Sequence, residues 1–539
     1  MTRARAIRGL VALLAAPARA APRPGRQRHV NAAAAALTLA AAALLTLAGC
    51  GGENRPTPGD GHGGGSTLQG TWRDADGNGT LERGQGEPVR ARTELAPPAP
   101  ATATLTRFAQ VTDAHVTDTQ SPARVTFLDR LGGAFSSTFR PQETLSAQVL
   151  TATVDALDRM PLDAVVDTGD LIDNDQENEL RTALAALDGG TVRPDSGAPG
   201  YDGPQLANDS DPFYYRPAVD PPRHPSLVTA ATRPFASQGL RAPWYPLAGN
   251  HDLLVQGVLA PTAVTRAAAV GSRALWEPPH GIPVPAAGSA GASDLARLPA
   301  GTASALLAQA NVDVAPDPAR RELTPPQTID GLLTGSRHGA REDGSLHYAF
   351  DLGASARAIV LDLVDRAGGS QGVVGAQQLA FLSAQLAAAG DRWVIVFTHQ
   401  PLASARGGAA ALALLDRDPH VVAAVNGDTH RNRIAPRHTP AGGYWQISTS
   451  SLADFPQQAR AFALRATRGG GVELDTWMVD HDDGPDGLAG VSRALAYLDA
   501  QGGRPSGFAG TASDRNVRLF KGPPPAPIAP PADETPNPP

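Results

Sequence analysis

The segment Asp163-Ala-Val-Val-Asp-Thr-Gly-Asp170-Leu-Ile-Asp173-Asn174 places polar residues directly after a short apolar run. An apolar run of this length, bounded by aspartate and glycine, is typical of a buried strand. Carboxylates that follow a strand end lie where an open α/β sheet forms its binding sites. The segment therefore predicts an α/β fold with a polar site at the strand ends.

Four other segments repeat this arrangement of a strand-like run followed by polar residues. They are Thr112-Asp113-Ala-His115 after 105–111, Gly249-Asn250-His251-Asp252 after 244–248, Thr398-His399-Gln-Pro401 after 392–397, and Asn426-Gly-Asp428-Thr-His430 after 421–425. Each segment alone is typical of a turn with hydrogen-bonding side chains. Together the five segments supply three carboxylates, three imidazoles and one amide as candidate ligands. That set is enough to hold two divalent cations that share one aspartate, so the segments predict a dinuclear metal centre.

Composition excludes several other kinds of chemistry. Lys521 is the only lysine, which argues against a lysine-dependent phosphate loop and against a Schiff-base mechanism. Cys50 is the only cysteine, which excludes a disulfide framework, a thiolate zinc site and a cysteine nucleophile in the body of the protein. The net charge is 46 − 53 = −7, so we expect no nucleic-acid partner.

Residues 1–49 have the pattern of an export signal. An arginine-rich region without acids precedes an apolar run that ends in Leu47-Ala-Gly-Cys50. The last four residues resemble a bacterial lipobox, which predicts a lipoprotein signal peptide and an extracytoplasmic protein anchored to the membrane by a lipidated Cys50. The alternative is a transmembrane anchor that ends in an incidental cysteine, since the run is about long enough to span a bilayer.

The rest of the chain divides by composition. Residues 50–100 are rich in Gly, Pro and charged residues, which predicts a flexible tether. Within this range, the segment from Asp74 to Gly79 resembles half a calcium loop, but its composition is better explained by a turn-rich linker. Residues 101–480 form the predicted domain, with insertions near 186–243 and 258–345 that either cover the site or are surface loops. Residues 481–521 are expected to be a C-terminal extension and 522–539 a disordered proline-rich tail. We expect a monomer.

The ordered segments resemble the calcineurin-like metallophosphoesterase superfamily over roughly residues 105–450. Further motifs are similar to an exported, actinobacterial-type subgroup: Gln120-Ser-Pro-Ala-Arg124 with Phe127-Leu-Asp-Arg130, Asn174 to Leu180, and Tyr444-Trp-Gln-Ile447. The resemblance implies a four-layer α/β/β/α sandwich with long loop insertions. It assigns Asp113, His115 and His430 to one metal, Asn250, His399 and Asp428 to the other, and Asp170 as the bridge between them. Two such cations lower the pKa of a bridging water, so we expect the resulting hydroxide to attack a phosphate mono- or diester. His251 is expected to protonate or stabilise the leaving oxygen, with Asp252 orienting the His251 ring.

Asp428 departs from the family pattern, which usually has histidine at this position. A carboxylate in place of an imidazole favours harder ions, so we expect two divalent cations with Mn²⁺ favoured and with Fe, Zn or Mg as alternatives. The added negative charge predicts weaker binding of dianionic monoesters. The competing interpretation is that Asp428 swings away and the second metal is loosely held. Asp173 stands where purple acid phosphatases carry a tyrosine ligand, which argues against a ferric–tyrosinate enzyme.

Three functions compete at this stage. The leading hypothesis is a membrane-tethered, extracytoplasmic phosphoesterase acting on a small phosphate ester. The alternative is a surface lipoprotein with a degenerate metal site that binds phosphate ligands without turnover. A structural protein of the cell envelope fits the tether but leaves the candidate ligands unexplained. Nucleotides, phospholipid headgroups and cell-wall phosphodiesters are all open as substrates.

Overall fold

The computed structural model describes residues 65–131, 137–277, 309–310, 312–341, 344–481, 483–502 and 507–525. The predicted signal peptide, Cys50 and most of the proline-rich tail lie outside these ranges. Within them, no helix combines the length and apolarity that crossing a bilayer would require.

The strands, in chain order, are β1 Gly70–Arg73, β2 Glu82–Gln85, β3 Arg90–Arg92, β4 Ala101–Val111, β5 Ala164–Asp167, β6 Gly190–Val192, β7 Phe235–Ser237, β8 Trp244–Pro246, β9 Arg273–Ala274, β10 Val312–Asp313, β11 Tyr348–Asp351, β12 Ala356–Leu361, β13 Trp393–Thr398, β14 Val421–Asn426, β15 Arg433–Arg437, β16 Tyr444–Ser448, β17 Gln458–Thr467, β18 Val472–Asp480 and β19 Val517–Lys521. The α-helices are α1 Ser146–Leu157, α2 Glu177–Asp188, α3 Leu227–Ala231, α4 Asn250–Leu253, α5 Ala263–Ala269, α6 Pro325–Ser336, α7 Ala376–Ala389, α8 Gly408–Leu415 and α9 Leu488–Gln501.

Two mixed sheets form the centre of the molecule. One has six strands in the order β11-β12-β13-β14-β16-β15, and the other has seven in the order β3-β19-β18-β17-β4-β5-β8. The inner strands β12, β13, β14 and β16 run parallel, as do β4, β5 and β8 in the other sheet. Because parallel strands end at the same edge of a sheet, the segments that follow them are brought to one end of the molecule.

The two sheets pack face to face, and helices cover their outer faces. Phe108 on β4 stacks on Phe462 of the same sheet, with ring centroids 4.6 Å apart, and meets Phe397 of the other sheet edge-on at 5.9 Å. On the outer face of the six-stranded sheet, Leu382 of α7 and Ala411 of α8 pack against the strands. On the other outside, α1 packs against β18 and α9 packs against α1. The predicted four-layer α/β/β/α sandwich is confirmed.

Residues 65–100 contradict the predicted flexible tether. Strand β3 pairs in parallel with β19, and Ser66 forms a bridge with Val479. The Thr67 hydroxyl donates to the Met478 carbonyl at 3.0 Å, and both residues are buried. The prediction was wrong because composition indicates turns but does not show which strand edges are open. The edges of β19 and β18 offer backbone hydrogen-bond partners that lie far away in sequence.

The segment from Asp74 to Gly79 is a turn fastened to α9. The Asp74 carboxylate accepts hydrogen bonds from the Gly77 amide at 2.7 Å and the Gly79 amide at 2.9 Å. It also accepts from the Tyr497 hydroxyl at 3.0 Å. An aspartate that caps its own loop in this way is typical of an Asx turn, which agrees with the turn interpretation over the calcium loop.

The boundary predicted at residue 480 is also corrected. Strand β19 lies inside the seven-stranded sheet, between β3 and β18, so Val517–Lys521 belongs to the sandwich rather than to an extension. Lys521, at the end of β19, is buried and its Nζ donates to the Gly443 carbonyl at 2.6 Å. The sandwich therefore ends at residue 521.

A buried ion pair joins one insertion to the loop that follows β4. Arg320 is fully buried, and its Nε donates to Asp118 Oδ2 at 2.9 Å. Its Nη2 donates to the Ser196 hydroxyl at 2.9 Å. Arg320 and Ser196 come from the two different insertions, and Asp118 lies three residues after His115. The described parts of both insertions therefore pack on the loop that carries a predicted ligand.

Candidate metal centre

The five predicted segments meet where the central strands end. Asp113, His115, Asp170, Asp428 and His430 all adopt a left-handed backbone, with φ of 51°, 44°, 51°, 63° and 53°. This conformation is uncommon outside glycine and costs about 1–3 kcal/mol at each residue, and it concentrates at functional sites. The tight turns direct these side chains into one cluster.

The first group consists of Asp113, His115 and His430, whose ligand atoms lie within 4.8 Å of one another. His430 Nε2 is 3.2 Å from Asp113 Oδ1 and 3.2 Å from His115 Nε2. Two nitrogens each about 2.1 Å from one cation would have this separation at an angle of about 100°. The spacing of this group fits a single divalent cation.

The hydrogen bonds of Nδ1 determine which nitrogen of the His115 and His430 rings can bind a cation. His115 Nδ1 is 3.0 Å from Asp173 Oδ1, and His430 Nδ1 contacts Asp454 Oδ2. Because an ionised carboxylate only accepts, both Nδ1 atoms carry hydrogen and both Nε2 atoms can act as ligands. Without a cation, Asp113 and Asp454 outweigh burial and raise the pKa of His430 to about 10, whereas burial and the charge of His251 lower the pKa of His115 to about 4. The raised pKa of His430 favours a second proton on its ring, on the Nε2 atom that would otherwise be free to bind a cation.

The second group consists of Asp113, Asp170 and His399. His399 Nδ1 lies 2.8 Å from the Thr168 carbonyl, which fixes the hydrogen on Nδ1 and leaves the lone pair on Nε2. Nε2 is buried, lies 3.1 Å from Asp170 Oδ2, and makes no hydrogen bond within the described residues. A buried nitrogen that faces a carboxylate without hydrogen bonding to it is where a cation fits.

Asp170 lies between the two groups. Its Oδ2 is also 3.8 Å from His115 Nε2, so one carboxylate approaches a histidine of each group. Burial raises the pKa of Asp170, but His399 and His251 outweigh it and hold the pKa well below its ordinary value. The carboxylate is therefore ionised and lies between His115 of the first group and His399 of the second.

Asn250 and Asp428 are next to residues of the second group: His251, which follows Asn250, donates its amide to Asp170 Oδ1 at 2.8 Å. Asn250 Oδ1 accepts from Gln400 Nε2 at 3.0 Å, and Asn250 Nδ2 donates to the Gly257 carbonyl at 3.0 Å. Asp428 Oδ1 is 3.8 Å from His399 Nε2, and its side chain is 25% exposed. Burial raises the pKa of Asp428 to about 7, although His399 opposes the shift. The structure thus brings Asp428 beside the other predicted ligands of the second metal.

His251 lies against Asp173, which is a correction to the predicted pairing with Asp252. His251 Nδ1 is 2.9 Å from the Asp173 carbonyl and 3.3 Å from Asp173 Oδ1. The same carboxylate contacts His115, so Asp173 orients both a predicted ligand and the predicted proton donor. Burial lowers the pKa of His251, but the charge of Asp170 and the contacts with Asp173 outweigh it and raise the pKa.

Asp252 turns away from the His251 ring and accepts backbone hydrogen bonds. Its Oδ2 accepts from the Gly249 amide at 2.7 Å and the Asp170 amide at 2.9 Å. Its Oδ1 accepts from the Ile172 amide at 3.0 Å. Asp252 is the third residue of α4, where an acidic side chain reaches back to the residue before the helix. Its hydrogen bonds connect the loop of Asp170 with the start of α4 rather than orient the His251 ring.

Asp454 and Arg140 are residues of the site that sequence reasoning missed. Asp454 contacts His430 Nδ1, and Arg140 Nε donates to Asp454 Oδ1 at 2.9 Å. Both are buried. The carboxylate of Asp454 fixes the tautomer of a predicted ligand, as carboxylates behind metal-binding histidines commonly do. Asp454 does not directly follow a strand, since β16 ends at Ser448, so the pattern that marked the other segments did not point to it.

Comparison with known protein families gives no match, and comparison with curated proteins gives none either. Among solved structures, a dimetal phosphatase from Danio rerio matches 71% of this chain and 98% of its own, at 12% identity and a TM-score of 0.39. Sulfate thiohydrolase SoxB from Thermus thermophilus, in complex with glycerol, matches 75% of this chain and 61% of its own, at 12% identity and a TM-score of 0.28. At these levels of similarity, the chemistry of this chain has to be argued from its own residues.

Proposed function

We propose that this protein is a phosphoesterase that uses two divalent cations to hydrolyse a small phosphate mono- or diester outside the cytoplasm. The observation that carries the proposal is the pair of ligand groups that share Asp113. One group adds His115 and His430, the other adds Asp170 and His399, and the Asp170 carboxylate lies between them. Two cations about 3.5–4 Å apart are the usual centre for in-line displacement at phosphorus.

When bound, the two cations would supply a nucleophile from water at neutral pH and would offset the charge of the phosphoryl oxygens. The chain itself supplies the proton transfer. Asp173 holds His251 through Nδ1, which leaves Nε2 to donate a proton to the departing oxygen. The Asp173 carboxylate, with Oδ1 3.3 Å from His251 Nδ1, favours the protonated ring that this role requires.

Manganese is the proposed metal, with Fe, Zn and Mg as alternatives. Asp113, Asp170 and Asp428 supply oxygen ligands, and carboxylates favour harder ions over zinc. The three charges sum to −3 against +4 from the cations. This near balance favours substrates that carry a single negative charge over dianionic monoesters.

We further propose that the signal of residues 1–49 is cleaved and that a lipidated Cys50 anchors the protein to the outside of the membrane. The support is the sequence Leu47-Ala-Gly-Cys50 after an arginine-rich region and an apolar run. Radiolabelled fatty acid incorporation into the wild type but not into Cys50→Ala tests the anchor. Equal labelling of the two proteins excludes it.

A degenerate, phosphate-binding site without turnover is the second candidate. The observation that favours it is Asp428, whose carboxylate is a quarter exposed and lies 3.8 Å from His399 Nε2. A ligand at this position that turns toward solvent would leave the second cation weakly held.

A panel of phosphate mono- and diesters, assayed with Mn²⁺, Zn²⁺, Fe²⁺ and Mg²⁺ in turn, separates these two functions. We expect turnover with Mn²⁺, and we expect His251→Ala to lower kcat by about 10²–10⁴-fold while it retains its metal. Binding of phosphate without turnover under every metal would establish the second candidate instead.

A further inference from the structure

The side chain of Gln400 is a buried amide directly behind Asn250. Gln400 Nε2 donates to Asn250 Oδ1 at 3.0 Å and approaches the Ser370 carbonyl at 3.3 Å. Gln400 is 2% exposed and Asn250 is 3% exposed, so water does not compete for these bonds. Because neither residue carries a charge, the hydrogen bond from Gln400 affects Asn250 by orienting its side-chain amide.

The two hydrogen bonds of Asn250 fix which way its amide points. Asn250 Nδ2 donates to the Gly257 carbonyl at 3.0 Å, on the side opposite to Gln400. If the amide turned by 180°, its nitrogen would face the Gln400 donor and its oxygen would face the Gly257 carbonyl. Both hydrogen bonds would be lost, so only one orientation is stable. An amide oxygen has two lone pairs, and the bond from Gln400 uses one of them.

Gly257 brings its carbonyl to Asn250 because it has no side chain. Its φ is +70°, and a Cβ added to it would lie 2.5 Å from Asn250 Nδ2 and 2.2 Å from His251 Cδ2. Such contacts are not tolerated, so the residue whose carbonyl accepts the hydrogen bond from Asn250 Nδ2 must be glycine. Gln400 on one side and Gly257 on the other thus hold the amide between them.

We propose that Gln400 is a positioning residue that orients the Asn250 carbonyl oxygen as a ligand of the second cation and thereby sets the occupancy of that cation. The inference rests on the proposed dinuclear function and adds a residue outside the predicted ligand set. Outer-shell groups of this kind typically change metal affinity by about 10–100-fold when they are removed.

Gln400→Met tests the proposal because it keeps the length of the side chain and removes the donor. The matched control is Gln371→Met, since Gln371 is exposed and its Nε2 donates to the Ser404 carbonyl at 2.9 Å, outside the site. Mn²⁺ binding is titrated on metal-free protein and followed by electron paramagnetic resonance, which distinguishes single from coupled ions. We expect Gln400→Met to weaken the second Mn²⁺ by about 10–100-fold with the first unchanged, and Gln371→Met to match the wild type.

A double-mutant cycle shows whether Gln400 acts through Asn250. In the Asn250→Ala background, adding Gln400→Met should cause little further loss, because the oxygen that it orients is already absent. Full additivity, or unchanged binding of the second ion by Gln400→Met, overturns the inference. If Gln400→Met does not fold, Gln400→Asn is one methylene too short to reach Asn250 and should give the same loss. A wild type that binds fewer than two ions refutes the dinuclear function itself, which is a separate outcome.

Discussion

The Nε2 atoms of His115 and His430 lie 3.2 Å apart, and each ring has its Nδ1 held by a carboxylate. In metal-free protein these nitrogens can coexist only through a shared proton, whereas a cation satisfies both lone pairs. We therefore predict that Mn²⁺ stabilises the folded chain, by about 2.7 kcal/mol at a free concentration of about 100 times Kd. Urea denaturation with Mn²⁺ and with a chelator measures this difference.

The control for this experiment is His430→Ala, which removes one of the facing nitrogens. It should retain less of the Mn²⁺ stabilisation than the wild type does, although some remains because Asp170 and His399 are intact. Equal midpoints for the wild type with metal and with chelator would contradict a metal site at these residues.

Asp173 contacts the Nδ1 atoms of both His115 and His251, so we predict that Asp173→Asn impairs metal binding and catalysis together. We expect metal affinity to fall by about 10–100-fold and kcat to fall by at least about 10²-fold. Metal titration and steady-state kinetics on the same preparation measure the two effects.

Asp252→Asn serves as the comparison, since Asp252 was the residue that sequence reasoning placed beside the His251 ring. Its carboxylate accepts from backbone amides, so its loss should lower the free energy of unfolding by about 1–3 kcal/mol. A larger fall in kcat for Asp252→Asn than for Asp173→Asn would restore the sequence-based assignment.

The docked segment of residues 65–92 predicts a stability difference between two truncated chains. A chain that begins at Gly65 keeps the contacts of Thr67 and Leu68 and the pairing of β3, and a chain that begins at Ala101 loses them. Burial of Leu68 contributes about 1.5–3 kcal/mol and each buried hydrogen bond about 1 kcal/mol, so the shorter chain should lose at least about 3 kcal/mol. Matching urea midpoints for the two chains would show that the segment is a tether after all.

The strands and the ligand segments were predictable because both are local patterns. Apolar runs such as 392–397 end in polar residues, and each predicted ligand lies within a few residues of such an end. The docking of residues 65–100 was not predictable, since the Thr67 bond to Met478 joins positions 411 residues apart. Asp252 was assigned to the His251 ring because it neighbours His251 in sequence, although capping of the short helix α4 determines where its carboxylate points. Asp454 reaches His430 only through the tertiary fold.

Asp428 is where the chain departs from the expected ligand set, and replacing it with histidine tests what the departure does. Asp428→His removes one negative charge beside His399, where a full charge contributes about 4 kcal/mol at 4 Å under an effective dielectric constant near 20. We expect part of this to appear as a KM for dianionic monoesters that is lower by roughly tenfold, about 1.4 kcal/mol. Steady-state kinetics with a monoester and a diester of the same leaving group measure the effect, and the diester KM should change less.

The same substitution should shift metal preference from Mn²⁺ toward Zn²⁺, because an imidazole replaces a carboxylate oxygen. Competition between the two metals, followed by metal content after equilibration, measures this shift. Asp428→Asn is the control, since it removes the charge without supplying an imidazole: the monoester KM should fall as in Asp428→His, but the shift toward Zn²⁺ should be absent. If Asp428→His alters neither the metal preference nor the monoester KM, Asp428 does not act on the second cation, and its quarter-exposed carboxylate points into solvent in the working protein.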